Sequence, residues 1–274
     1  MSAKKPLILF SLLLMVAAVT ATAGLRGQKQ NNSTSPALEK AKEDFYAVTD
    51  YTAPEPIDPQ KRELRRARNA RYNMRPEKGV DPKLFKLTEE RESSFGGPPS
   101  HAPVEPSLPA AQSDAVIIGE VSDAQAYLTE DKTGIYSEFT VRVGEVLKNS
   151  TTTPLGSDSS ISAIRGGGAV RFPSGKVIRY GQHGKPLPRT GRRYVFFLKY
   201  NNDEGQDFKI ITAYELRDGQ VFPLDGLNLV GRVETAYAAY QKHRGAVEAV
   251  FLDEVRDAIA RNPGGEAKRR EALR

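Results

Sequence analysis

Apolar and polar positions alternate most regularly in the middle of the chain. Ala115–Val121 (AVIIGEV) is dense in β-branched residues, and its pattern runs on toward Tyr127 and Leu128. After the polar stretch Thr129–Gly134, Phe139, Val141 and Val143 return at period two, with Thr140 and Arg142 between them. A period of two puts alternate side chains on opposite faces, so two long strands around a Gly-containing turn predict a hairpin. Further strands are expected at Ser160–Ile164, Lys176–Tyr180, Tyr194–Lys199, Lys209–Ala213 and Gln220–Pro223. Turn residues separate them at Gly166-Gly167-Gly168, Pro173–Gly175, Pro186–Gly191, Asn201–Gly205 and Asp218-Gly219. Val195-Phe196-Phe197-Leu198 has no alternation and reads as a central strand covered on both faces. Short strands joined by tight turns predict a mainly β fold over residues 112–226, a small antiparallel barrel or sandwich.

Helical spacing replaces this pattern at both ends. Leu38, Ala41, Phe45 and Val48 predict a helix over 37–49, interrupted by Pro54, Pro56 and Pro59. Lys61–Arg75 is rich in helix formers but offers only Leu64, Ala67 and Tyr72 as an apolar stripe. It reads as a charged spacer, or as a segment that becomes helical on a polyanion. After the strands, Val233–Arg244 and Val247–Arg261 look helical, the second with a stripe of Val247, Val250, Phe251, Val255 and Ile259. That stripe is expected to pack on the barrel or, alternatively, to dock a partner. The Pro-rich stretch 96–111 divides a charged, partly helical or disordered region (24–95) from the strands; a helical segment (227–262) and a charged tail (263–274) follow them.

Composition places these elements. Lys4 and Lys5, the apolar run Leu7–Val19 and Ala21-Thr22-Ala23 form the basic, apolar and small-residue parts of a secretory signal, with cleavage after Ala23. The run is shorter than the ~20 residues a spanning helix needs, so an anchor is the lesser alternative. The chain has no cysteine. That removes disulfides, thiol catalysis and thiolate metal sites, and it favours a bacterial periplasmic or secreted protein over a eukaryotic exported one. Tryptophan is also absent, which weakens a carbohydrate-stacking role.

The order of the strand motifs adds a resemblance. Asp114–Val121 opens the module, Phe139–Lys148 follows as its hairpin partner, and Gly191-Arg-Arg-Tyr194-Val-Phe-Phe-Leu198 comes after a variable stretch. This succession resembles the OB-type barrel of the netrin-module and tissue-inhibitor-of-metalloproteinase superfamily, and exported bacterial proteins with a similar core. The resemblance implies an OB-like barrel. Those inhibitors chelate protease zinc through an N-terminal cysteine, which this chain lacks, so inhibition is left without its working residue.

Charge gives the candidate site. Between Ser159 and Asn202 no acid interrupts a series of basic residues, of which Arg165, Arg171, Lys176, Arg179, Arg189, Arg192 and Arg193 are the candidate ligand-binding set. A basic face of this kind attracts an anionic envelope polymer over a Debye length of about 8–10 Å; ordinary surface ion pairing is the alternative. An exported protein meets little nucleic acid. Gly166–Gly168 lacks the GxxxxGK[ST] pattern of a phosphate loop and reads as a turn or bulge. His101, His183 and His243 stand far apart without metal-ligand spacing, and there is no GxSxG elbow. No metal, cofactor or catalytic residue is expected. The reading is an exported non-enzymatic binding protein. Its alternatives are a scaffold subunit docking through Phe251 and Val255, and a hydrolase using His183 with a nearby carboxylate.

Overall fold

Backbone pairing extends the expected strands well beyond their apolar cores. The structure, a computed structural model, describes residues 47–73, 85–90, 94–95, 106–152, 154–182, 184–202, 205–226 and 235–262, all within the unit Pro36–Arg274. The expected signal, the tether at 24–36, most of the Pro-rich stretch, the charged tail, His101 and His183 lie outside the described residues. Strand β1 (Val48–Asp50) precedes helix α1 (Pro59–Tyr72) and strand β2 (Ser94–Phe95). The hairpin β3 (Ala115–Leu128) and β4 (Ile135–Asn149) follows, then β5 (Ser160–Arg171), β6 (Val177–Gln182), β7 (Arg193–Tyr200), β8 (Phe208–Arg217) and β9 (Gln220–Pro223). A 3-10 helix (Thr235–His243), β10 (Ala246–Val247) and helix α2 (Glu248–Arg261) complete the described elements.

Five strands close in the order β3-β4-β5-β8-β7, with β7 returning to β3, into a mixed barrel. The expectation of a wholly antiparallel barrel is corrected at one seam. There β5 and β8 run parallel, through Ala163↔Phe208 and Ile164↔Lys209 only. Parallel neighbours need a crossover connection, and the chain through β6 and β7 supplies it. Val121, Phe139, Val141, Ala163, Phe196, Leu198 and Phe208 fill the interior. On the outside of β7, Val195 and Phe197 meet Tyr214, Phe251, Leu252 and Val255. The unalternating run Val195–Leu198 is thus covered on both faces, as expected of a central strand. Phe251 and Val255 are fully buried against this barrel, whereas Val247 and Val250 of the same stripe stay 60% and 56% exposed.

Three further expectations change. Gly166–Gly168 is no turn but the interior of β5. Its pairing with β4 ends at Tyr136↔Gly166, and its pairing with β6 begins at Gly167↔Gly181. The strand changes partners across the glycines. Gly167 has φ +117°, and a Cβ on Gly168 would lie 2.8 Å from Ile135 Cδ1. Beyond them β5 belongs to a small outer sheet with β6, β2 and β1, packed around Val170, Ile178, Phe172 and Leu87. Val48, expected in a helix, is in β1, whose backbone pairs parallel with Ala169–Arg171; residues 37–46 lie outside the described ones. The first C-terminal helix is a 3-10 helix that carries Tyr237 and Tyr240 into the outer cluster. The end of the Pro-rich stretch is also packed: Ala110 is buried, the Tyr214 hydroxyl donates to Ser107 O, and Lys148 Nζ donates to Ala110 O and Ser113 O at 2.8 Å each.

Candidate functional site

The basic segment read as a spacer folds as α1. Asp58 caps it, accepting from Gln60 N at 2.9 Å, and Pro59 opens the first turn. Arg65, Arg68 and Arg71 recur at a spacing of three, which sets them along one side of the helix. With few apolar residues to bury, α1 is held to the barrel chiefly by charge.

Arg68 makes three contacts with the barrel. Its Nε donates to Asp207 Oδ2 (2.8 Å), Nη1 to Glu138 Oε2 (2.8 Å) and Nη2 to Ser162 Oγ (3.4 Å). Arg71 forks onto the same aspartate, at 2.8 Å to Oδ1 and 2.7 Å to Oδ2. Asn201 Nδ2 adds a bond to Asp207 Oδ1 at 2.7 Å, and the Ser162 hydroxyl donates to Glu138 Oε1 at 2.6 Å. Asp207 is 0% exposed. Burial alone would push its carboxyl up, but the bonds from Arg71, Asn201 and Arg68 outweigh it and hold it below the ordinary value.

An aromatic stack forms the other part of the contact. Tyr72 lies on Tyr136 at 5.0 Å between ring centroids, Tyr136 lies on Tyr127 at 5.5 Å, and the Arg65 guanidinium sits 5.6 Å from the Tyr127 ring. Burial pushes the Tyr72 hydroxyl up to about 12. The end of α1 abuts the β3–β4 turn, where Asn73, with its amide O and N interchanged, donates to Asp131 Oδ1 (3.0 Å) and Thr129 Oγ1 (3.1 Å). A Cβ on Gly134 would come within 2.1 Å of Tyr72 O, so only glycine allows this approach. The groove therefore has a floor of β4 and β5 and walls at turn 129–134 and at Asn201 and Asp207. An open cleft of about 590 Å³ continues from it between Arg71, Tyr72, Asn73, Asn201 and Lys209.

The seven basic residues singled out from sequence are not gathered there. Arg165 points into the barrel end, 4% exposed, with Nη2 2.5 Å from Asp225 Oδ1. It is no surface contact, a correction to the expected basic face. Its Nε and Nη1 and Asp225 Oδ2 lack hydrogen-bond partners, and burial pushes the Asp225 carboxyl up despite Arg165. Arg171 forks onto Asp50 at 2.5 and 2.8 Å, and Lys176 Nζ donates to Glu89 O at 2.7 Å. Arg192 lies 3.8 Å from Glu215, and Arg193 lies 3.0 Å from Glu248. Arg171, Lys176 and Arg179 cluster on the β5–β6 hairpin; Arg192 and Arg193 lie at the start of β7, beside α2, and Arg189 in the loop before them. His243 is buried between the Tyr214 and Phe251 rings, with Nδ1 3.8 Å from Glu254. Among the described residues no group of three or more metal-ligating side chains converges.

No protein-family model matches the chain, and no curated protein is similar to it in sequence. Sequence reading missed Asp207, Glu138, Arg68 and Arg71 as a unit. The three-residue spacing of Arg65, Arg68 and Arg71 was the available signal. Asp207 gave none, because its burial depends on a helix more than a hundred positions away.

Proposed function

We propose that this chain is an exported, non-enzymatic binding protein built on an OB-like barrel, with the β4–β5 groove as its recognition face. Counted along the chain over the five barrel strands, β4 and β5 are the second and third; turn 129–134 joins the first to the second, and the connection carrying Asn201 and Asp207 joins the fourth to the fifth. In OB barrels that face and those two loops hold the ligand. The observation that carries the reading is that an element lies in this groove already, namely α1. The groove's charged groups are paired as arginine and carboxylate, an arrangement suited to recognition rather than proton transfer. Lys4, Lys5 and Ala21-Thr22-Ala23 support export, and the strand order supports kinship with netrin-type modules.

A recognition face must become accessible. Hydrogen exchange is expected to show α1 amides opening at least about a hundredfold faster than β3 and β4, through local rather than global unfolding. Exchange of α1 only with the whole barrel would remove the reading. A second reading, an anionic envelope polymer held by Lys176, Arg179, Arg189, Arg192 and Arg193, is favoured by their exposure. Polyphosphate titration at low salt tests it; binding that survives charge reversal at Arg192 and Arg193 would count against that face.

A further inference from the structure

We infer that α1 is a resident ligand of the barrel, and that the groove selects an arginine-bearing helix, so that a partner protein presenting arginines at positions i and i+3 competes with α1 for it. This rests on the groove being the recognition face.

The selectivity follows from how the acceptors are used. Asp207 Oδ1 accepts from Arg71 and Asn201, and Oδ2 from Arg68 and Arg71. Glu138 uses Oε2 for Arg68 and Oε1 for Ser162. Both carboxylates are satisfied by two guanidinium forks one helical turn apart. A lysine carries its three donors on a single nitrogen and lacks the planar fork whose separate nitrogens reach Asp207, Glu138 and Ser162 from Arg68. Departure of α1 strips Asp207 of both its guanidinium counter-charges, which is costly, so a replacement that restores them is favoured over an empty groove. The Tyr136–Tyr127 stack adds a surface for one aromatic or guanidinium plane, the places Tyr72 and Arg65 now hold.

The bound helix contributes little apolar area. Of its side chains Leu64 and Ala67 are only half-buried, and Lys61, Arg62 and Arg66 remain exposed. Its intrinsic hold is electrostatic and salt-sensitive. What keeps it in place is covalent attachment, which gives a tethered helix an effective concentration of order millimolar. A free competitor must overcome that advantage, so the groove is closed to weak binders and open to strong ones.

The test uses the full chain and a labelled peptide of residues 56–73. In the double variant Arg68→Ala/Arg71→Ala the resident helix loses its forks while the groove keeps Glu138, Ser162, Asn201 and Asp207. Removing cis competition should raise peptide affinity about tenfold or more over wild type. Binding should fall as NaCl rises. A peptide carrying Arg68→Lys and Arg71→Lys should bind about tenfold more weakly, and adding Asp207→Asn to the protein should abolish binding. Gly134→Ala, which crowds Tyr72 O without altering any groove charge, provides a second way to loosen α1. Circular dichroism confirms that the barrel persists in each variant. If α1 exchanges rapidly in either variant and no peptide binds, the arginine-helix inference falls while the open groove stands. If lysine and arginine peptides bind alike, the groove is only a cation patch and the inference also falls. If α1 stays as protected as β3 in both variants, the groove reading itself falls with it.

Discussion

Asp207 sits where three segments distant in sequence meet: α1, the β4–β5 floor and the loop before β8. Replacing it with asparagine leaves Arg71 without its counter-charge and Arg68 with Glu138 alone, a change expected to cost about 3 kcal/mol for a buried pair broken on one side. A lowered urea midpoint at unchanged slope would measure it. The pH dependence has a definite sign. Asp207 is held below its ordinary 3.8, so its stabilisation is present above about pH 4 and is lost as pH falls through the lower folded value. The gap between wild type and Asp207→Asn should therefore close in acid. His243 behaves similarly at higher pH. Burial holds it below 6.5, against the raising effect of Glu254 and with the lowering effect of Lys242. Folding therefore disfavours its protonation, and stability falls as pH drops below about 6.5 and the unfolded chain takes up the proton first. His243→Gln should flatten the thermal-midpoint profile between about pH 7 and pH 5; an unchanged profile would exclude His243 as its source. Residue identity made the three-spaced arginines visible. It could not mark Asp225 as the partner of Arg165, because the two meet only when β9 leads the chain back to the barrel end.

At the scale of elements, alternation located the strands because each has a buried face to satisfy. It missed what joins them. The glycines of β5 carry no side-chain pattern, so a partner change inside a strand looks like a turn. Gly168→Ala tests this: its Cβ would lie 2.8 Å from Ile135 Cδ1 and 3.1 Å from Ala126 Cβ, a clash expected to cost about 1–3 kcal/mol. Ile135→Val removes the nearest atom, so the double variant should recover part of that loss in a thermodynamic cycle. Additive losses would place the strain elsewhere. Helix α2 was legible because its apolar stripe is complete. Phe251→Ala is expected to cost about 3–5 kcal/mol, read by urea denaturation. The register of α1 on the barrel was illegible, since a charged helix has no stripe to show which way it faces.

The whole molecule is closed at its thinnest place. Only two residue pairs join β5 to β8, and Ser162 and Asp207, which flank that seam, are both bonded to Arg68. Helix α1 therefore bridges the closure as well as filling the groove. Amides of the seam should exchange sooner than those of β3 and β4, and Arg68→Ala/Arg71→Ala should speed them further while leaving the β3–β4 hairpin unchanged. Equal protection around the barrel would show that α1 has no part in holding it shut. No sequence pattern could announce this, because a parallel seam between the third and fifth strands depends on the path of the chain between them.

The order of attachment also has a mechanical side. Tension applied upstream of Ala47 meets β1 first among the described elements, a three-residue strand pinned by the Asp50–Arg171 fork. The next element in line is α1, and the barrel strands come after it. If residues upstream of Ala47 were fixed and the rest of the molecule pulled, β1 and then the helix would peel away before the β3–β4 hairpin gave. The groove would then be uncovered by force alone.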